Sequence, residues 1–157
     1  MERFFDGLES FMDFLEERAL LHEEVIDLIA EGSSHVLYDK AFKIYGDDTK
    51  LAPLAQATQD DRAQRGYDPN LPLYRDGELL RDHLERGNEG NLAGIGSEEP
   101  VQADHEYGYI NAKTGGPVPP RPVMHQAMVE SAPDIEAILE DGISSILGLT
   151  PFLTLKP

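Results

Sequence analysis

His22, His35, His83, His105 and His125, together with thirty acidic side chains, are the groups of this chain equipped for metal or acid–base chemistry. Their spacing does not gather them. His22 is followed by Glu23 and Glu24 on an acidic stretch with no HExxH pattern, which argues against a zincin-type zinc site. Asp104, His105 and Glu106 are consecutive, and consecutive residues of a strand point to opposite faces, so as a strand they could not converge on one ion. Nucleophilic chemistry lacks its parts as well. The chain has no cysteine, and Ser33, Ser34, Ser97, Ser131, Ser144 and Ser145 lie outside any GxSxG elbow. Gly87, Gly90, Gly94 and Gly96 are not followed by GK[ST], so they make no phosphate loop. The expectation is therefore a protein with no catalytic residue, no metal and no cofactor. A small metal-dependent hydrolase built on Asp104, His105 and Glu106 is the rival that metal analysis would test.

The elements that would position these residues read as helices, a short β region, then helices. In GLESFMDFLEERALLHEEVIDLIAEG, Leu8, Phe11, Met12, Leu15, Val25, Ile26 and Ile29 recur at helical spacing, with acids between them. At Gly32-Ser33-Ser34 the small residues signal either a kink or a close approach of two helices. The phenylalanines Phe4, Phe5, Phe11 and Phe14 are expected to pack onto the sheet. A linker flanks a short helix with Pro53 as its opening residue, ended by Gly66, Pro69 and Pro72. Asp76 is placed to cap a helix over GELLRDHLE, with Leu79, Leu80 and Leu84 on one side.

GNEGN (Gly87 to Asn91) signals a turn, LAGIGS a strand, and VQADHEYGYI a second strand or a strand-to-loop edge. GGPVPPRP then leads into a helix over VMHQAMVESA. A further helix opens at Pro133 and stops at Gly148. The tail LTPFLTLKP reads as an edge strand or a segment that docks on a neighbour. The predicted fold class is α+β, with N-terminal helices, a short antiparallel sheet, and C-terminal helices packed on it. One domain of 157 residues holds a helical part over 1–48, a core over 49–148 and a tail over 149–157.

Hydrophobic residues make up 40% of the chain and charged residues 27%, a globular composition. No apolar run is long enough to span a bilayer, and MERFFDGLESF lacks the pattern of a signal peptide. Absence of cysteine fits a reducing cytoplasm. Thirteen basic against thirty acidic residues give a net charge of −17, which repels phosphate and argues against ordinary nucleic-acid binding. Plain solubility, mimicry of DNA, and a surface that must stay near DNA without sticking to it all fit that charge.

Three pieces of the second half stand out in order: LPLYRDGELLRDHLE, AGIGSEEPVQADHEYG and VPPRPVMHQAM. The series resembles the tailed-phage virion-morphogenesis or tail-completion family, small proteins that join head to tail at the neck. The resemblance rests on Pro72, Leu73, Asp76, Gly77, Leu79 and Leu84. It continues through Gly94, Ile95, Gly96, Ser97, Ala103, His105, Glu106 and Gly108, and through Pro119 to Pro122. Upstream, Pro53, Leu54 and Thr58 match the family's "W-x-P-L-x-x-x-T" segment, with Leu51 where tryptophan is usual. His83 stands where the family often has serine.

The resemblance implies a non-enzymatic virion protein, assembled in the host cytoplasm into a ring of six or twelve copies of itself. Its implied neighbours are portal-side connector proteins and the tail tube or its terminator. Double-stranded DNA would pass through the lumen without specific binding, kept off by acidic walls, and no membrane is involved. The residues expected at a subunit or partner interface are Glu106, Tyr107, Tyr109, Pro119, Pro120, Arg121 and Pro122.

Two of these carry an alternative. Arg121, on a proline-stiffened backbone, either reaches a carboxylate on a partner or pairs within its own subunit. Glu106-Tyr107-Gly108 either line an interface or end a strand, with Gly108 at positive φ and the tyrosines capping the core. The rival function is an acidic DNA mimic that occupies a basic nucleic-acid-binding protein.

Overall fold

Two long antiparallel helices form the frame on which the rest of the chain is hung. The computed structural model describes residues 8–45, 47, 49–75, 78–89 and 91–146. Helix α1 runs unbroken from Leu8 to Tyr45, and α4 from Val123 to Ile146. Side chains of α1 and of the connection after it hold α4 in place. Lys50 bonds Glu130 at 2.7 Å, Lys40 lies 3.5 Å from Asp134, and Gly142 sits against Ile29 and Val25.

Gly32-Ser33-Ser34 does not interrupt the helix. All three residues are buried in continuous helix, and the Ser34 hydroxyl donates back to the Glu31 carbonyl at 2.8 Å. On α4, Gly142 makes room for larger side chains of α1: a Cβ there would lie 2.3 Å from Ile29 Cδ1 and 3.2 Å from Val25 Cγ1.

The two C-terminal helices expected from sequence are one. Pro133 lies inside α4 and does not open a new helix. It removes the N–H that would bond the Val129 carbonyl, at a place where both residues are exposed to solvent.

Between the long helices the chain forms α2 (Gln56–Gln64), then three separate two-stranded antiparallel ladders with a short helix between the second and third. Strand β1 (Tyr74–Arg75) pairs with β2 (Glu78–Leu79). Strand β3 (Leu84–Glu89) pairs with β4 (Leu92–Ser97) with Glu89 opposite Leu92, so Gly87, Asn88 and Glu89, expected in a turn over Gly87 to Asn91, belong to the ladder. Helix α3 covers Val101–Tyr107, and β5 (Tyr109–Ile110) pairs with β6 (Pro117–Val118). The fold is α+β. Among the described residues no helix is long and apolar enough to cross a membrane.

Three sequence expectations are corrected here. GELLRDHLE is not a helix: β2 gives way to a 3-10 turn over Leu80–His83, and β3 already begins at Leu84. Pairing Leu84 with Ser97 while burying its side chain against α1 outweighs the local leucine spacing. VQADHEYGYI is mostly helix and not strand, because Pro100 stands at the N-cap of α3 with φ already near the helical value. Helix α2 opens at Gln56, three residues after Pro53. The Asp76 cap, the stop at Gly148, the tail, Phe4, Phe5 and the Phe11 and Phe14 side chains lie outside the described residues.

The core sits where the C-terminal end of α1 meets the head of α4. Ala41, Ile44, Tyr45, Leu51, Leu73, Leu84, Val123 and Ala127 are buried together. Leu73 reaches it with a positive φ of 60°, a conformation that costs a non-glycine residue about 1–2 kcal/mol. Burial of its side chain, of the order of 2 kcal/mol, offsets that cost.

Candidate functional site

The segments that carry the sequence signature meet at the head of α4. Helix α4 has Pro122 and Arg121 before its first residue, and neither has a side-chain acceptor for the free amides of a first turn. Each of those amides nevertheless finds a partner. Val123 N–H donates to the Arg121 carbonyl at 2.9 Å, and Gln126 N–H to the Pro122 carbonyl at 2.9 Å. The Glu106 carboxylate takes the other two, from Met124 N–H at 3.1 Å and His125 N–H at 2.8 Å. A carboxylate at a helix N-terminus also meets the positive end of the helix dipole. Glu106 is thus a cap supplied by α3, eighteen residues upstream of Met124.

Arg121 turns inward. It is only 3% exposed, its Nε donates to the Ala52 carbonyl at 2.8 Å and an Nη to the Pro53 carbonyl at 3.0 Å. Its backbone N–H donates to the His105 carbonyl at 2.6 Å. Of its two predicted uses, the structure has the internal one: the guanidinium ties the α1–α2 connection to the head of α4. Burial lowers its pKa from the usual arginine value, while the two carbonyls take the Nε donor and one Nη donor.

Gly108 closes the arrangement. Its φ of 77° and ψ of 162° lie in a region that glycine alone adopts freely. A Cβ there would stand 2.8 Å from the Val118 carbonyl and 3.1 Å from Pro120 N. The proline bracket therefore packs directly on the glycine backbone.

His105 lies beneath this clasp, edge-on to Tyr109 with ring centroids 6.0 Å apart. Its Nδ1 is buried without a hydrogen-bond partner. Burial first, and then the neighbouring Arg121 charge, push its pKa below the ordinary 6.5, so the ring is neutral near pH 7. On the core side, Tyr45 Oη donates to Gln102 Oε1 at 2.6 Å, and burial pushes the phenol pKa up. Arg62 donates to the Leu71 carbonyl, pinning the Leu71-Pro72-Leu73 segment to α2.

The remaining predicted residues lie on the outside. Tyr107 is 83% exposed, so it does not cap the core; Tyr109 is half-buried. Pro119 and Pro120 are exposed and Pro122 is half-buried. Ile110, absent from the sequence expectations, is 66% exposed at the start of the loop that Gly115 and Gly116 complete. Tyr107, Ile110, Pro119 and Pro120 leave an apolar rim around the clasp.

Asp104, His105 and Glu106 do not converge. Glu106 is engaged by α4, His105 faces inward, and Asp104 is exposed on α3. Among the described residues no three His, Asp or Glu side chains are grouped to hold a metal ion. An open cleft of about 620 Å³ between α1 and β3 is lined by His35, Tyr38, Asp39, Leu84, Glu85 and Arg86. None of the predicted site residues reaches it.

Sequence reasoning missed the cap and the Tyr45–Gln102 pair. The cap had a readable signal: a helix start with proline and no Ser, Thr, Asp or Asn must borrow an acceptor from elsewhere. No protein-family model matches this chain, and neither a curated protein nor a solved structure shows significant similarity to it.

Proposed function

We propose that this chain is a structural protein of the tailed-phage neck, forming a homo-oligomeric ring that completes the tail and joins it to the head connector. The observation that supports this reading is the convergence of the motif residues. Pro53, Leu73, His105, Glu106, Gly108 and Pro119 to Pro122 lie far apart in sequence, yet they serve one clasp and the core beside it. Glu106 and Arg121 serve that clasp from within. Subunit contact falls to Tyr107, Tyr109, Pro119 and Pro120 on its outer side. Such a protein works through interfaces, with no catalytic step, and is located in the virion.

The test combines sedimentation and electron microscopy on the purified protein with antibody labelling of virions from the strain that carries the gene. Six- or twelve-fold rings and label at the head–tail junction are expected. Virions without label, together with a protein that instead binds a basic nucleic-acid-binding protein one to one, would overturn the proposal in favour of the DNA mimic. Tyr107→Ser should abolish rings while leaving a folded monomer.

A further inference from the structure

Helix α4 is apolar over a wider arc than its own chain covers. Its inner side, Val123, Ala127, Ser131, Gly142 and Ser145, is buried against the rest of the fold. Beside that arc runs a second row: Met128, Ala132, Ile135, Leu139 and Ile143. Their spacing of four, three, four and four residues keeps them on one stripe of an α-helix. Met128 is 57% exposed, Leu139 41% and Ile143 53%, with Val129 at 59% on the edge of the row. The stripe runs from Met128 to Ile143, about 22 Å of helix at 1.5 Å per residue. Ile135, in the middle of the row, is half-buried, but an apolar row of this length exposed at both ends marks an interaction surface.

Charge decides what covers it. Helix α4 contains Glu130, Asp134, Glu136, Glu140 and Asp141 and no lysine or arginine. Glu130 and Asp134 are neutralised by Lys50 and Lys40 of the same chain. Glu136 and Glu140, on one edge of the stripe, are exposed and have no ion-pair partner among the described residues; Asp141 lies on the far side of the helix. A second α4 laid on the stripe would bring two such acidic rims together, in a chain of net charge −17. Like charges across an interface select against that pairing, and a basic rim selects for it.

We propose that the Met128–Ile143 stripe docks a basic amphipathic helix of another protein. Leucine-type residues of that helix interleave with Met128, Leu139 and Ile143, while Ala132 permits close approach. Lysine or arginine flanking that seam faces Glu136 and Glu140. This surface is separate from the clasp rim and does not rest on the neck reading.

The test uses the full chain and three labelled synthetic peptides of about twenty residues, the length that covers the stripe. The first is a helix with leucines at heptad a and d positions and lysine or arginine elsewhere. The second has the same composition in scrambled order, and the third has glutamate for every basic residue. Fluorescence anisotropy at about 150 mM salt measures binding. The first peptide is expected to bind at least about tenfold tighter than either control. Leu139→Ser with Met128→Ser should lose about tenfold of that affinity without altering the circular dichroism spectrum.

Equal binding of the scrambled peptide would reduce the effect to net charge and overturn the proposal. So would a self-assembly that Leu139→Ser disperses, which would place a second copy on the stripe. A Phe152→Ser, Leu153→Ser chain that binds the first peptide about tenfold tighter would assign the stripe to the chain's own C-terminal residues instead. Rings that persist in the Leu139→Ser variant keep the two interfaces distinct, so either proposal can fail alone.

Discussion

Replacing Gly108 with alanine tests the clasp at its tightest point. The glycine has φ 77° and ψ 162°, where a residue with a Cβ incurs about 1–3 kcal/mol of backbone strain. The new methyl group would also lie 2.8 Å from the Val118 carbonyl and 3.1 Å from Pro120 N. Both are backbone atoms of a proline-stiffened segment, so no side-chain rotation relieves the overlap; such overpacking costs about 1–3 kcal/mol more. The expected loss is therefore about 2–6 kcal/mol, or on the order of 10 °C in Tm for a chain of this size.

Gly66 is the internal control. Its φ is 78°, nearly the same, but a methyl group added there would have nothing within 4 Å. Gly66→Ala should cost only the conformational part, about 1–2 kcal/mol. Urea titration followed by circular dichroism measures both variants, and an unchanged m-value shows that the same transition is compared. If the two alanines destabilise equally, the close packing of the bracket on Gly108 contributes nothing and the account of the clasp is wrong.

Glu106→Ala removes the acceptor from Met124 and His125 N–H and should cost about 1–2 kcal/mol, with faster hydrogen exchange at those two amides. Arg121→Ala leaves the Ala52 and Pro53 carbonyls without their donors and should cost about 2–4 kcal/mol by chemical denaturation. Arg121→Lys should recover only part of that, since one ammonium replaces a two-pronged fork. His105 has a folded pKa below 6.5, so the unfolded chain takes up its proton first as pH falls. Stability should drop as pH falls through about 6.5 and level off below the lowered folded value; His105→Gln should flatten that part of the profile.

Helix α1 was legible because its signal is local and repeated, whereas Pro133 hid the continuity of α4. Val25, Ile26 and Ile29 set the period of α1, and the small residues Gly32-Ser33-Ser34 lie buried within it without ending the helix. The β3–β4 hairpin was half legible. Its turn and second strand carry strong residues, but Leu84 belongs to the ladder only because Ser97 and α1 hold it there. Helix α3 was misread for the opposite reason. The alternation in HEYGYI suits a strand, yet Gln102 is drawn to Tyr45 from fifty-seven residues away and Pro100 sets the helical start. Nothing local announces a partner at that distance.

The inward turn of Arg121 changes what the proline bracket is for. A backbone held by Pro119, Pro120 and Pro122 loses little entropy when its arginine binds, and that advantage is the same whether the acceptor is a partner or the chain itself. Here the acceptors are two carbonyls sixty-eight and sixty-nine residues away, so the stiffness closes a long loop within one subunit. With the cation consumed inside, the outer rim of the clasp is left with Tyr107, Ile110, Pro119 and Pro120, which are apolar or aromatic. Contact through such a rim depends on buried area and responds weakly to salt. Docking on the acid-edged stripe of α4 brings opposite charges together near the surface and weakens as salt rises. A salt series on sedimentation and peptide binding thus separates the two faces: self-assembly should persist across concentrations that release the basic helix.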